Sequence, residues 1–104
     1  MNRNAWKSIP AGAVTLDFSG CRVPDEIHET IKKGFGFPEY YGENWDALWD
    51  CLRDFAVSED EEREIVVQGV ELLPGELREY CREAICIFGE LAEKYPLIRL
   101  RVED

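Results

Sequence analysis

Asp46, Asp50 and Asp54 stand at i, i+4 and i+8. At about 100° per residue they form one row along a helix, while Leu48, Cys51, Leu52 and Phe55 group on the other side. Trp49 falls at the border of the row, and Trp45 lies beyond it, toward the apolar side. Tyr40 and Tyr41 come just before. Carboxylates beside large aromatic rings supply the specific charges and the anchors of a protein interaction hot spot. The ordinary reading of an acidic row is a solvated helix face. Two features argue for more than that. Like charges four residues apart on a helix oppose it by roughly 0.2–0.5 kcal/mol per pair, and only Asp46 stands near enough to the helix start to gain from the macrodipole. A row that lowers local stability with an aromatic at its edge is the kind of departure from local rules that functional surfaces make.

Catalytic chemistry finds less support. Paired carboxylates such as Asp46 and Asp50 could perform acid/base work on a glycoside, but that requires two acids in distinct environments across a cleft, which a single exposed row does not offer. The one histidine, His28, is flanked by Ile27 and Ile31 and reads as a structural histidine. No serine elbow, H-E-x-x-H, Walker loop or zinc-type spacing occurs. Gly34-x-Gly36 ends a helical run and does not open one, so it is no dinucleotide fingerprint. The residues therefore imply no cofactor and no metal. Cys21, Cys51, Cys81 and Cys86 form no C-x-x-C pair and read as reduced, mostly buried small hydrophobes.

The elements that must carry the row follow from hydrophobic period and turn chemistry. Ala13 to Phe18 alternates apolar and polar side chains before Ser19-Gly20, which predicts a strand and a turn. Pro24-Asp25-Glu26 opens a helix over about 25–34, ended by Gly34 and Gly36. After the Gly/Pro/Tyr loop of residues 36–43, Asn44 is placed to cap a second helix from Trp45 to Phe55. An acidic connector over residues 58–64 leads to the β-branched strand Glu64–Gly69. Pro74-Gly75 precedes a long apolar stripe, Leu77, Tyr80, Cys81, Ala84, Ile85, Phe88, Leu91 and Ala92, which predicts a helix over 75–94 stopped before Pro96. Leu97 to Val102 alternates again, with Ile98, Leu100 and Val102 on one face and Arg99 and Arg101 on the other. Strand, helix, helix, strand, helix, strand implies helical crossovers between parallel strands, an α/β layer.

The chain of 104 residues is expected to form one domain over 1–104, with residues 1–12 a loosely ordered N-terminal extension. With 45% apolar and 12% aromatic residues it can build a core. Its formal charge is -10, and between Pro38 and Glu62 nine acids face one base, Arg53, so most of the excess sits on one loop and helix. Direct binding to nucleic acid or to an anionic membrane would work against that charge, and a cationic protein partner is favoured. No run approaches a membrane span, and the first residues lack the apolar run of a secretory signal, so the chain reads as cytoplasmic.

The run Pro38-Glu39-Tyr40-Tyr41-Gly42-Glu43-Asn44-Trp45-Asp46-Ala47-Leu48-Trp49-Asp50-Cys51-Leu52 resembles the barstar family of intracellular ribonuclease inhibitors. Similarity extends upstream through His28–Lys33 and, more weakly, to Phe88-x-Glu90 and the final strand. The resemblance implies a barstar-like α/β fold, a small three-stranded parallel sheet packed by helices. It also implies a non-enzymatic, monomeric inhibitor that blocks a secreted basic ribonuclease one to one, with the second helix and the preceding loop over the active site. Asp50 would enter the phosphate-binding pocket, with Tyr40, Gly42, Asn44, Asp46 and Trp49 around it and Glu90 as a peripheral acidic contact. Where the family's inhibitor has small uncharged residues after the shared cysteine and leucine, this chain has Arg53 and Asp54, then Phe55 in place of a tryptophan. Arg53 would meet a basic enzyme unfavourably if it points outward. The opening through Gly12 and the connector Ser58-Glu59-Asp60-Glu61-Glu62 have no counterpart in that pattern. Three other readings stand beside the first: an immunity protein against a different nuclease toxin, a barstar-like regulatory module without a nuclease partner, and an acidic enzyme using Asp46 and Asp50.

Overall fold

A computed structural model describes residues 13–39, 41–58 and 61–103; the proposed N-terminal extension over residues 1–12, Tyr40, and Glu59 and Asp60 of the connector lie outside them. The chain runs β1 (Ala13–Asp17), α1 (Pro24–Phe35), α2 (Trp45–Ser58), β2 (Arg63–Gln68), a 3-10 turn (Val70–Leu72), α3 (Gly75–Lys94) and β3 (Ile98–Glu103). The strands lie in the order β1-β2-β3, and both pairings are parallel. Parallel neighbours cannot be joined by a hairpin, so α1 and α2 cross from β1 to β2 and α3 crosses from β2 to β3.

Register places Val14, Ile65 and Leu100 in one cross-strand row and Leu16, Val67 and Val102 in the next. These rows face the helices. Val14, Leu16, Ile65 and Val67 are buried in one cluster with Ile27, Ile31 and Phe35 of α1, Leu48, Leu52 and Phe55 of α2, and Cys81, Phe88 and Leu91 of α3. The alternation expected of β3 holds, but its apolar face leaves the core along the strand: Ile98 is buried, Leu100 half-buried, and Val102 44% exposed. The opposite face of the sheet is largely polar. Arg101 pairs there with Glu64 at 3.3 Å and with Glu103, and Gln68 donates to Glu103 at 2.9 Å.

Two helix ends differ from expectation. The run in α1 does not stop at Gly34 but continues to Phe35, and Gly36 then caps it in the left-handed region at φ 71°. Gly34 serves packing: a Cβ there would stand 2.3 Å from Cδ2 of the buried Leu16, so the Leu16 side chain of β1 occupies the space a side chain on α1 would need. α2 runs three residues beyond Phe55, to Ser58, because Ala56 is also buried and no glycine or proline halts the helix. α3 occupies the expected span, Gly75–Lys94.

Candidate partner-binding surface

The start of α2 is fixed by Asn44. Its Oδ1 accepts from the Ala47 N–H at 2.8 Å, its carbonyl accepts from Leu48 N–H at 2.9 Å, and its Nδ2 donates to the Gly42 carbonyl at 3.1 Å. One side chain thus ties the loop before α2 to its first turn. Glu43, between the two, takes a left-handed φ of 52°, a conformation L residues adopt only when their surroundings impose it.

Beneath the loop lies a polar knot within the core. His28 is buried and both its ring nitrogens are engaged, Nδ1 with the Tyr41 hydroxyl at 2.7 Å and Nε2 with the Tyr80 hydroxyl at 2.7 Å. Its ring lies 4.7 Å from that of Trp45, which lies 4.9 Å from that of Tyr80. α1, the loop, α2 and α3 therefore converge on one imidazole. Burial holds the His28 pKa below its ordinary value, against the opposing charges of Glu43 and Asp25. Burial likewise pushes the Tyr41 and Tyr80 hydroxyls upward, so both stay protonated donors and acceptors at neutral pH. The structural role expected of His28 is the one it has.

On α2, Leu48, Cys51, Leu52, Phe55 and Ala56 are buried, while Asp46, Asp50, Arg53 and Asp54 are exposed. Half-buried Trp49 packs on the core at the edge of the row. Asp46, Trp49 and Asp50 line an open groove of about 450 Å³ whose other wall is Glu90 and Lys94 of α3. Four sequence-nominated residues, Asp46, Trp49, Asp50 and Glu90, thus share one groove. Gly42 and Asn44 are exposed on the loop before α2, outside the groove lining, and Tyr40 lies outside the described residues.

Two cations complete the groove. Arg53, which also lines it, points outward and bonds Asp50, Nη2 to Oδ1, at 2.6 Å. Lys94 sets its ammonium 5.5 Å from the centroid of Trp49. Asp50 is therefore not left to repel Asp46 and Asp54 unaided, as the aspartate spacing alone suggested; an exposed pair of this kind contributes little to folding. The Asp50–Arg53 spacing of three was visible in the sequence. Nothing local in the sequence brings Lys94 to Trp49, because only the packing of α3 on α2 does so. Among the described residues, no group of three or more His, Cys, Asp or Glu side chains is placed to hold a metal ion, and no helix is long and apolar enough to cross a membrane.

The architecture defines a small parallel α/β protein that presents a charged helix and its capping loop on one side of the core. A family model described as Barstar (barnase inhibitor) matches residues 11–103, and the chain belongs to the barstar family. A relative named "Putative ribonuclease inhibitor YrdF", from Bacillus subtilis (strain 168), is 50% identical over 36 residues, which are 35% of this chain and 36% of that protein. The match thus spans about a third of the relative's length.

Proposed function

We propose that this protein is a cytoplasmic, non-enzymatic inhibitor of a basic ribonuclease and acts by one-to-one occlusion of the active site. The observation that carries the reading is the groove that Asp46, Trp49, Asp50 and Glu90 line together, on a member of a family described by its inhibition of barnase. A nuclease site is built from Arg, Lys and His to hold phosphate, so a carboxylate on a rigid helix can fill it without offering a scissile bond. Asp50 enters the phosphate pocket. Asp46 and Glu90 meet cations at its rim, and Trp49 is the aromatic anchor. Tyr40, Gly42 and Asn44 extend the contact along the loop. Charge on both partners supports direct protein contact and argues against nucleic acid or membrane as the ligand.

The test is titration of the purified chain against barnase and a panel of other small basic microbial ribonucleases, with RNA cleavage as the readout. Inhibition that saturates at one equivalent, and that is lost in Asp50→Ala but kept in Glu62→Ala, is the expected result. Glu62 is a fair control because it removes the same charge while pairing with Arg99, away from the groove, at 3.0 Å. Failure to inhibit any enzyme of the panel would refute the reading.

A further inference from the structure

Asp50 and Arg53 are both exposed, at 71% and 56% of their side chains, yet they are bonded to each other. The same alternation of sign recurs across the groove, where Glu90 and Lys94 stand four residues apart on α3 and Lys94 lies over Trp49. The groove therefore carries three carboxylates and two cations, and the Asp50 carboxylate on α2 already has a guanidinium on it. A strand or core does not need this pair, since both side chains lie on the solvent side of α2 and neither belongs to the core cluster. Its consequence is for what can dock. Arg53 bonds only Oδ1 of Asp50, so a partner that presents a cation there must either share the carboxylate with the guanidinium or displace it. If that partner's surface is cationic throughout, the guanidinium, shared or released, is then held against like charge, and such juxtaposition is what suppresses wrong partners at interfaces. A partner with a carboxylate beside its cation takes both halves of the pair.

We infer that Arg53 is a specificity-determining residue, resting on the inhibitory reading above: by competing with the partner's cation for Asp50, it turns the surface against basic enzymes whose facing site is predominantly cationic. The pairing geometry explains how one substitution on an exposed helix face narrows the partner range without altering the fold. Removing the side chain should therefore broaden binding, in contrast to the loss that follows removal of Asp50.

Barnase is the probe. Its inhibition and association rate are measured at low salt with the wild-type chain, Arg53→Ala, Arg53→Gln, Arg99→Ala, Asp50→Ala and the double variant Asp50→Ala/Arg53→Ala. Arg99, on the polar sheet face and paired with Glu62, controls for the change in net charge. Circular dichroism melts establish that each variant is folded. Both Arg53 variants should tighten barnase binding at least tenfold, Arg99→Ala should change it less than threefold, and the gain should vanish when Asp50 is absent. Equal effects of Arg53→Ala and Arg99→Ala would show net charge alone and overturn the inference. So would wild-type inhibition that Arg53→Ala leaves unchanged or weakens, a result under which the inhibitory reading still stands. Absence of barnase inhibition in the wild type and in every Arg53 variant overturns the inference too, and the inhibitory reading is then decided separately by the remaining enzymes of the panel.

Discussion

Asp50 sits on the outward side of α2, and Leu48 and Leu52 on the inward side hold the backbone beneath it. A rigid carboxylate loses little freedom on binding, so truncation to Ala removes a pre-positioned group and leaves the partner's cations buried and unpaired. In the inhibited complex Asp50→Ala is expected to weaken binding by roughly 2–5 kcal/mol. Denaturation of the same variant in urea should leave stability within about 0.5 kcal/mol of wild type, since exposed ion pairs contribute little. His28 governs a different response. Its folded pKa lies below the unfolded value of about 6.5, because burial disfavours the charged ring. The unfolded chain therefore binds the extra proton first. The contribution is fully present above about pH 6.5 and is lost as pH falls through that value toward the folded pKa. A charged imidazole is a donor at both nitrogens, so the tyrosine hydroxyl that had donated to it must also rotate its proton away and accept instead. Stability measured in urea between pH 7.5 and 5.5 should fall at up to about 1.4 kcal/mol per pH unit at the steepest, and His28→Gln should flatten the slope. Part of this surface was legible in the sequence. The spacing of Asp46, Asp50 and Asp54 and the border position of Trp49 came from helical period alone, while Glu90 was reached only through the family resemblance. The His28–Tyr80 bond joins residues 52 apart in the chain. No local pattern carries such a pairing; it is decided by the packing of α1 on α3.

Elements, in contrast to pairings, are written mainly in their boundaries. α3 agreed with the sequence at both ends because Pro74-Gly75 and Pro96 punctuate it and an apolar stripe fills the interval. α2 has no such mark at its C-terminus, and its last apolar contact, Ala56, was too small to stand out in the periodicity. In α1 a glycine was present and misleading. Gly34 resembles a stop signal, yet it lies inside the helix, where the Leu16 side chain of β1 fills the place of a Cβ. That distinction makes a prediction. On an open helix Gly→Ala gains about 1 kcal/mol in propensity, but here the new methyl would meet Leu16 Cδ2, whose side chain is fully buried and has little room to move. Overpacking of this type costs about 1–3 kcal/mol, so Gly34→Ala should destabilise the protein by about 1 kcal/mol net. Equilibrium urea unfolding measures it. A stabilised variant would mean that Leu16 repacks freely and that Gly34 serves no packing purpose.

At the scale of the whole molecule, the core and the charge divide the chain into a support and a face. None of the four cysteines is disulfide-bonded; Cys21, Cys51 and Cys81 are buried and Cys86 is exposed. Burial raises the Cys51 thiol and pushes that of Cys81 up to about 12. Thiol titration of the native protein should therefore find Cys86 reacting first and alone, with four thiols after unfolding; a total of two would reveal a disulfide. The charge has a longer reach than any of these contacts. Of the formal -10, nine acids against one base fall between Pro38 and Glu62, the segment that supplies the loop, α2 and the approach to β2. A field concentrated on one segment of the chain orients a basic partner before contact, and the resulting gain in association rate is screened as the Debye length shrinks from about 30 Å at 0.01 M salt to about 10 Å at 0.1 M. Once docked, the close pairs lie within that length and are screened far less. Stopped-flow association with an inhibited basic ribonuclease should thus show an on-rate that drops steeply over this range and an off-rate that changes little. Glu62→Ala should lower the on-rate modestly and spare the off-rate, whereas Asp50→Ala should raise the off-rate sharply. An on-rate indifferent to salt would separate the acidity of this segment from recognition and leave it as a solvated face.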